Sequence, residues 1–463
     1  MKEKTVDVAV VGAGTAGLYA LSRARRKTKR VVLFDGGPLG TTCARVGCMP
    51  SKMLIHSSDN LAGARSEDVA GKEIRLAGAE MMDSLRTRRD RLAGHVLKRI
   101  NTLFSDLLVP EYASFREPMV LEAAGTLYRC RAIVLACGTA PVLPPGWRKA
   151  EGKIVTTDEF FELPDIPERV LVVGAGFIGV EIGQALARMG KRVTMVEMTG
   201  SAAGISDPEV EKIFLEALRR TVDLRLQTRA SLKDVDAGGV EVELEDADGN
   251  TAAGRYDLVV AASGRKPDFG RLRLDRSGLK LDQKGMPEFD RATLRCRERD
   301  VFLAGDCTGV RPFYHDAAGE GKLAGANAAD PDNLRRLPAR VPLAITFTRP
   351  AVCSVGTRFE ELAENAPIGG ALFPDSPRGV ADRVEDGIIR IYGNPGDGRI
   401  VGSEMAAPAG EHLAHLLAAL IHSGTTVEKA LELPFYHPTY EEVLQDALGD
   451  LMKQLKKLKE EKL

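Results

Sequence analysis

The chain has 463 residues, more than a single hydrophobic core usually supports, so two or three domains are expected. Its formal net charge of -1 argues against a general nucleic-acid or membrane-surface binder, and no apolar run is long enough to predict a membrane span. Because the amino terminus lacks the layout of a signal peptide, a cytoplasmic location is expected. Seven cysteines spread along the chain argue against a structural disulfide framework.

The first predicted element is a strand that runs into a glycine-rich turn, VDVAVVGAGTAG, followed by a helix and a second strand ending at Asp35. Gly12 permits the tight turn, Gly14 lets the backbone approach a pyrophosphate, and Gly17 allows the helix to pack closely on the strand. The carboxylate of Asp35 can accept hydrogen bonds from ribose hydroxyls. This pattern is typical of a dinucleotide-binding unit.

Two cysteines five positions apart follow Asp35, in the segment TTCARVGCMPSK. Cys43 and Cys48 can form a disulfide if the backbone between them curls as in the first turns of a helix, and Gly47 gives that backbone freedom. A thiolate near a helix N-terminus is stabilised, which suits redox chemistry. Two reduced core cysteines remain an alternative from the spacing alone, whereas a zinc site would need further ligands that do not follow nearby.

The chain is expected to be helical around residues 50–108, and the proline- and glycine-rich segment 141–152 is expected to be a linker. A second copy of the first unit then follows, with RVLVVGAGFIG, a helix and a strand ending at Glu197. The glycines of this copy are Gly174, Gly176 and Gly179. The first glycine and the terminal acid are 23 positions apart in both copies, which makes a chance match improbable. The alternative is that the glycines of both units serve packing alone.

The remaining motifs lie in the last third of the chain. A buried strand, VFLAGD, ends at Asp306, and a final region from about residue 341 combines strand-like runs with helices over 412–422 and 441–448. In HPTYEE, Glu442 follows His437 by five positions. A histidine can transfer a proton near neutral pH, and a carboxylate can fix its tautomer, although a histidine at a helix start is unremarkable by itself.

Together these motifs resemble those of the two-cysteine pyridine nucleotide-disulfide oxidoreductases, the flavoprotein family of dihydrolipoamide dehydrogenase, glutathione reductase and mercuric reductase. The landmarks occur in family order: the cysteine segment, ACGTAP, the second glycine loop, SGRKPD, FLAGD, FTRP and HPTYEE. The resemblance covers the whole chain. It implies an α/β fold with two Rossmann-like domains, binding FAD (1–150 and 269–340) and NAD (151–268), and a C-terminal α+β dimerisation domain (341–463).

The resemblance also implies roles for single residues. Cys48 would lie against the flavin, and Cys43 would be the outer thiol that exchanges with substrate. His437 and Glu442 would form an acid/base dyad serving the cysteine pair of the partner subunit, so a homodimer with composite active sites is expected.

For the cofactors, the resemblance implies that Asp35 holds the adenosine ribose of FAD and Asp306 a hydroxyl of its ribityl–phosphate chain. Lys52 would lie near the flavin and pair with Glu181. The other positions assigned to cofactor binding are Thr42, Ala113, Gly138, Thr139, Gly264 and Tyr314. No metal is expected.

Glu197 points to the dihydrolipoamide dehydrogenase branch, because its carboxylate would repel the 2'-phosphate of NADP and accept from the free hydroxyl of NAD. The expected substrate is the dithiol of a lipoyl-bearing protein or a small disulfide. Departures from the family pattern at Thr41, Arg45, Tyr314 and Tyr436 leave a different disulfide substrate open. Two other classes also stay open: a diaphorase or quinone-type electron-transfer flavoprotein, and a non-catalytic FAD-bound assembly subunit.

Overall fold

The computed structural model describes residues 2–64, 78–150 and 152–460, except for the side chain of Ala64. Residues 65–77 of the predicted helical region therefore lie outside the described residues. The chain divides into two compact units. The first consists of Met1–Pro50, Met82–Val142 and Gly264–Pro338, and the second of Ser51–Met81, Leu143–Ser263 and Ala339–Leu463.

The first unit is built on a seven-stranded sheet. Across the sheet the order is Leu108–Val109, Val31–Phe34, Lys2–Val11, Thr126–Leu135, Val120–Ala123 and Ser114–Glu117, with Val301–Leu303 also paired to Thr126–Leu135. The central strand, Lys2–Val11, is parallel to both of its neighbours. Its residues from Val8 to Val10 are fully buried, as expected for a parallel sheet covered on both faces.

Helices cover this sheet, and a short antiparallel pair stands beside it. The helices are Thr15–Ala24, Thr42–Arg45 and Tyr314–Ala329, with 3-10 turns at Ser105–Leu107, Leu274–Arg276 and Asp306–Thr308. The short pair joins Thr139–Pro141 to Arg265–Pro267. Two further helices, Cys48–Ala64 and Gly78–Leu103, have residues in both units.

The second unit begins with a five-stranded parallel sheet in the order Asp223–Arg225, Arg192–Val196, Arg169–Val173, Leu258–Ala261 and Ile154–Thr156. Its helices are Thr157–Phe160, Phe177–Arg188 and Pro208–Arg219. A three-stranded antiparallel sheet is inserted, formed by Arg229–Asp236, Gly239–Glu245 and Thr251–Tyr256. The sequence reading did not predict this insertion.

The second unit ends in a five-stranded antiparallel sheet in the order Leu343–Thr346, Ala351–Gly356, Ile400–Ala407, Ile388–Gly393 and Ile368–Leu372. Its helices are Pro377–Ala381, Gly410–His422, Val427–Leu431 and Glu441–Glu460, with a 3-10 turn at Phe359–Glu361. This is the predicted α+β ending, but the last helix runs beyond the predicted residue 448. Within the described ranges, no helix combines the length and apolar character that crossing a membrane requires.

Candidate active site

The two glycine loops have the same backbone geometry. Gly14 has φ -72° and ψ -176°, Gly176 has φ -70° and ψ -175°, and each immediately precedes a helix. A Cβ added to either glycine would meet no atom within 4 Å. Both loops therefore present bare backbone to open space at a helix N-terminus, which is the arrangement that accepts a pyrophosphate.

The first glycine of each loop is required by its own surroundings. Gly12 has φ +103° and Gly174 has φ +107°, a conformation that other residues rarely adopt. A Cβ at these positions would also collide with the carbonyl oxygen of Ala136 or Ala262, respectively. In both loops the backbone at the first glycine therefore packs directly against the backbone at the end of a neighbouring strand.

The third glycines, Gly17 and Gly179, are confined in a corresponding way. A Cβ on either would collide with the carbonyl oxygen of the first glycine of the same loop, Gly12 or Gly174. Each helix therefore begins in direct backbone contact with its turn, as the fingerprint requires.

The two terminal acids close the loops in the same manner. Asp35 Oδ2 accepts from the Ala13 N–H at 2.5 Å, and Glu197 Oε2 accepts from the Ala175 N–H at 2.8 Å. The second oxygen of each accepts from the backbone N–H two residues further along the chain. Glu197 Oε1 also accepts from the Thr199 hydroxyl at 3.2 Å. The other three carboxylate oxygens keep a lone pair for a ribose hydroxyl, so both loops fit a dinucleotide.

The cysteine segment folds back on itself at Gly47. Cys43 lies half-buried in the helix Thr42–Arg45, and Cys48 is exposed as the first residue of the helix Cys48–Ala64. A Cβ on Gly47 would lie 3.1 Å from the Thr42 carbonyl oxygen and 3.3 Å from Cys43 Cα. The backbone that leads into Cys48 therefore packs directly against that of Cys43.

Thr41, just before the first cysteine, has φ +66°, although it is β-branched. Its side-chain oxygen accepts from the Ala44 N–H at 3.2 Å and so caps the short helix that carries Cys43. The usual family glycine is thus replaced here by a residue that gains a capping bond but occupies the left-handed region.

Lys52 and Glu181 are brought together in the second unit, as the resemblance implied. Lys52 Nζ lies 2.8 Å from both carboxylate oxygens of Glu181, whose side chain is 6% exposed. The ammonium also lies 4.4 Å from the centre of the Phe347 ring, and the Phe347 N–H donates to Glu181 Oε1 at 3.0 Å. The two hydrogen bonds from Lys52 and the one from the Phe347 N–H therefore compensate the burial of the Glu181 carboxylate.

Asp306 stands in the 3-10 turn after the strand Val301–Leu303. Burial raises the pKa of its carboxyl, and the positive charge of Arg265 opposes that effect. The same arginine donates to Thr139 Oγ1 at 2.9 Å and to the Thr139 carbonyl oxygen at 2.8 Å. Gly138 and Gly264 have φ +70° and +101°, and a Cβ on either would face open space. These residues form an open polar corner suited to a cofactor's hydroxyl-bearing chain.

The other predicted site residues of the first unit differ in exposure. The side chain of Ala113 is buried in the apolar core, so only its backbone could meet a ligand. Thr42 is exposed, and Tyr314, which begins the helix Tyr314–Ala329, is 53% exposed. The Tyr314 hydroxyl lies 3.4 Å from that of Tyr19.

His437 and Glu442 form the predicted pair. Glu442 Oε1 lies 3.0 Å from His437 Nδ1, and Oε2 accepts from the Thr439 N–H at 3.0 Å. The hydrogen bond to His437 lowers the pKa of Glu442, and the Thr439 N–H adds to this effect. The histidine side chain is 67% exposed. Its Nε2 is therefore oriented away from the carboxylate, where it can exchange a proton with a bound group.

Sequence reasoning missed three residues that complete these clusters: Arg265, Phe347 and Tyr19. Arg265 and Phe347 lie inside the recognised motifs SGRKPD and FTRP, so their positions in these motifs could have identified them as site residues. Tyr19 lies in the helix after the first glycine loop, and no motif marked it.

Comparison with known proteins identifies the family. The pyridine nucleotide-disulphide oxidoreductase model matches residues 6–321, and the model of that family's dimerisation domain matches residues 342–448. The chain belongs to this family. The fold is accordingly the predicted one, with FAD and pyridine-nucleotide domains followed by a dimerisation domain, and the coarse activity is that of a flavoprotein disulfide oxidoreductase.

Curated relatives cover nearly the whole chain at low identity. A mitochondrial dihydrolipoyl dehydrogenase of Pisum sativum is 27% identical over 95% of this chain and 90% of its own length. Dihydrolipoyl dehydrogenase 3 of Pseudomonas aeruginosa is 29% identical over 97% of this chain and 98% of its own length. The similarity to both relatives therefore extends over nearly the full length of this chain and of each relative.

Solved structures show the same fold. The HOCl-induced flavoprotein disulfide reductase RclA from Escherichia coli has a TM-score of 0.80 at 19% identity, covering 96% of this chain and 99% of its own. LpdA from Mycobacterium tuberculosis has a TM-score of 0.82 at 21% identity, covering 98% of this chain and 100% of its own. At these identities the similarity concerns the fold alone.

Proposed function

We propose that the protein is a homodimeric dihydrolipoyl dehydrogenase, which oxidises a dihydrolipoyl dithiol to the cyclic disulfide and passes two electrons to NAD+. The names of the curated relatives that match over the full chain support this substrate. The observation that carries the proposal is the His437–Glu442 hydrogen bond. A protein that only relayed electrons to a quinone would not need an acid/base pair for thiols.

In this proposal the cysteine pair and the dyad perform the thiol chemistry. One substrate thiolate attacks Cys43 of the Cys43–Cys48 disulfide, and Cys48 leaves as a thiolate. His437 takes the proton of the second substrate thiol, which then displaces Cys43 and closes the substrate disulfide. The Glu442 carboxylate holds Nδ1 and stabilises the imidazolium. The dyad serves the cysteines of the other subunit.

The cofactors are assigned to the two loops by their order in the family. FAD, when bound, supplies the two-electron carrier between thiols and nicotinamide. The first loop with Asp35 and the Asp306 corner would hold FAD, and the Lys52–Glu181 pair would stand beside its ring. The second loop with Glu197 would hold the pyridine nucleotide. Glu197 favours NAD, because a 2'-phosphate would face its carboxylate.

A second candidate is a related disulfide reductase with a substrate other than lipoamide. Tyr436, immediately before the dyad, is 81% exposed, and Tyr314 is 53% exposed. Both are departures from the pattern of lipoamide enzymes. Bulky aromatic groups at these positions would change which disulfide can approach the cysteines.

Steady-state assays separate the two candidates. Dihydrolipoamide with NAD+ should give turnover that Cys43→Ser abolishes, and NADP+ should be poorer by at least tenfold. Glutathione disulfide with NADPH is the comparison reaction. Turnover of the glutathione pair without turnover of dihydrolipoamide would refute the proposed substrate, and a preference for NADP+ would refute the role of Glu197.

Subunit mixing tests the composite site. Cys43→Ser and His437→Gln dimers should each be inactive, and their mixture should regain about a quarter of wild-type activity after random exchange, because half the dimers then carry one intact site. The loss of His437 should leave flavin content unchanged. No recovery despite proven exchange would mean that the dyad acts within its own subunit.

A further inference from the structure

The segment 199–207 lies between the acid that closes the second glycine loop and the helix Pro208–Arg219. Neither the sequence motifs nor the proposed thiol chemistry gives this segment a role. At its start, the N–H and the hydroxyl of Thr199 both donate to Glu197 Oε1, at 3.0 Å and 3.2 Å. The segment is therefore tied from its first residue to the carboxylate of the loop.

The middle of the segment packs directly on the second glycine loop. The Ala203 N–H donates to the Ala175 carbonyl oxygen at 2.8 Å, and Ala203 is 1% exposed. A Cβ added to Gly204 would lie 3.1 Å from Phe177 Cζ. The 199–207 segment therefore contacts both the turn of the loop and the first residue of the helix that follows it.

The hydrogen bond to Ala175 fixes the direction of a donor in the loop. The Ala175 carbonyl and the Gly176 N–H belong to one planar trans peptide, so they point in opposite directions. Because the carbonyl is bonded to Ala203, the Gly176 N–H is directed away from the 199–207 segment, and Gly176 borders open space. The segment thus sets how this N–H is presented to a pyrophosphate.

The far end of the segment is held by a buried carboxylate of the C-terminal sheet. Glu404, in the strand Ile400–Ala407, is 1% exposed. Its Oε2 accepts from the N–H groups of Ser206 and Asp207, at 2.8 Å and 3.0 Å, and its Oε1 accepts from the Ser206 hydroxyl. A buried carboxylate without these donors would be uncompensated, so the hydrogen bonds hold both partners in place.

Two residues next to this carboxylate complete the anchor. The Phe359 N–H donates to Glu404 Oε1 at 3.3 Å, and Arg358 Nε lies 3.8 Å from the same oxygen. Arg358 Nη2 also donates to the Gly204 carbonyl oxygen at 2.7 Å. Arg358 therefore contacts both Glu404 and the 199–207 segment.

Asp207, the last residue of the segment, is fixed independently. Its Oδ1 accepts from the Glu209 N–H at 3.0 Å and so caps the helix Pro208–Arg219. Its Oδ2 accepts from Arg390 Nε at 3.2 Å and from the Tyr392 hydroxyl at 2.9 Å. Because Asp207 is held in this way, loss of the Glu404 bonds would displace the part of the segment that leads to the loop.

We propose that Glu404 and Arg358 are positioning residues for the pyridine nucleotide. Through the 199–207 segment they fix the second glycine loop in the orientation that binds the pyrophosphate. Both residues lie in the dimerisation domain, within residues 342–448. The inference rests on the proposed assignment of the second loop to the pyridine nucleotide, but it does not depend on which disulfide is the substrate.

ADP-ribose is the probe for this test, because it carries the adenosine and pyrophosphate of NAD and cannot transfer a hydride. Calorimetric titration of the oxidised, FAD-loaded protein should show that Glu404→Gln weakens its binding about 3- to 20-fold. This substitution keeps the side-chain volume but turns an NH2 group towards N–H donors. Arg358→Met, which loses the donor to Gly204, should weaken binding in the same direction.

Steady-state kinetics provide a second measurement. In a ping-pong reaction each kcat/KM reports one half-reaction, so Glu404→Gln should lower kcat/KM for NAD+ by the factor seen with ADP-ribose. The value of kcat/KM for the dithiol should change less than about twofold, and flavin content should stay normal. A general loss of structure would lower all three quantities.

A double-mutant cycle tests whether Glu404 acts through the segment. Ser206→Ala should weaken ADP-ribose binding by itself. Combined with Glu404→Gln, it should cost less than the product of the two single losses, because the Ser206 hydroxyl and Glu404 are partners.

Ser403→Ala is the matched control. Ser403 precedes Glu404 in the same strand and is 0% exposed, and its hydroxyl has no hydrogen-bond partner among the described residues. Successive side chains of a strand point to opposite faces of the sheet, so Ser403 faces away from the segment. This variant should bind ADP-ribose as the wild type does.

The outcomes separate this inference from the proposed function. Unchanged ADP-ribose binding in Glu404→Gln and Arg358→Met, equal losses for NAD+ and the dithiol, or an additive cycle would each overturn the inference. If Gly176→Ala bound ADP-ribose as tightly as the wild type, the assignment of the second loop would fail and the inference with it. If the predicted losses appear but dihydrolipoamide is not oxidised, the lipoyl proposal fails and the inference stands.

Discussion

The helices that follow the two glycine loops start alike and are packed in different ways. Helix Thr15–Ala24 contacts helix Tyr314–Ala329 at backbone distance, because a Cβ on Gly321 or Gly325 would collide with the carbonyl oxygens of Ala16 and Ala20. The first loop is thus supported by small residues and close apolar packing.

Helix Phe177–Arg188 is held instead by buried polar side chains. Glu181 binds Lys52 and the Phe347 N–H. Gln184 exchanges two hydrogen bonds with the backbone of Arg349, at 2.8 Å and 2.7 Å. The comparison shows that the loop itself fixes where a pyrophosphate can sit, whereas the surroundings of its helix decide what else is positioned there.

The largest expected effect is a loss of cofactor affinity that differs between the two loops, because each loop is proposed to bind a different cofactor. Gly14→Ala should lower FAD affinity about 100-fold, or about 3 kcal/mol, and Gly176→Ala should do the same for the pyridine nucleotide while flavin content stays normal. At φ near -70° the backbone tolerates alanine, so the added methyl obstructs only the ligand. Flavin absorbance and nucleotide titration measure the two affinities, and thermal unfolding checks the fold. Loss of the same cofactor in both variants would contradict the division of roles.

The close helix contact in the first unit predicts a stability difference between two glycines. Gly321→Ala should lower the free energy of unfolding by about 1–3 kcal/mol, because the methyl group overlaps the Ala16 carbonyl oxygen. Gly94→Ala, in the helix Gly78–Leu103, is the control. A Cβ there meets nothing within 4 Å, so better helix propensity should stabilise the protein by about 0.5–1 kcal/mol. If denaturant unfolding showed the same change in the free energy of unfolding for Gly321→Ala and Gly94→Ala, the close packing of Gly321 on Ala16 would not account for stability.

A buried acid next to the first loop predicts a pH dependence. Burial raises the pKa of Glu320 to about 7, and the charges of Asp316 and Asp306 add to this effect. Because the pKa in an unfolded chain is about 4.3, the folded state holds the extra proton, and stability falls as pH rises from about 4 through 7. Glu320→Gln, which can still accept from Gly305, should gain on the order of 2 kcal/mol over wild type at pH 8 and little at pH 4. If the free energy of unfolding depended on pH in the same way in the wild type and in Glu320→Gln, the Glu320 carboxyl would not titrate in this pH range.

The smallest expected effect is a stability change at Thr41. This residue belongs to the cysteine segment that follows the first nucleotide unit, and the second unit is followed by no such segment. Thr41→Gly should raise the free energy of unfolding by about 1 kcal/mol, because relief of the left-handed conformation outweighs the lost cap and the added freedom of the unfolded chain. Thr41→Ala keeps that conformation and removes the cap, so it should destabilise by about 1 kcal/mol. Thermal unfolding distinguishes the pair. The same sign for both variants would contradict the assigned strain.

The chain by itself determined the repeated nucleotide units, the family, the α/β fold and the pairs Lys52–Glu181 and His437–Glu442. The loops could be predicted because their demands are local: a positive φ, a bare backbone and an acid at fixed spacing. The two pairs followed from family motifs and not from physical spacing, since Lys52 and Glu181 are 129 positions apart.

Tertiary structure alone decided which residues complete these sites. Arg265 reaches Thr139 across 126 positions, and Tyr19 meets Tyr314 across 295. Contacts at such separations depend on how sheets and helices pack, and no local pattern encodes them.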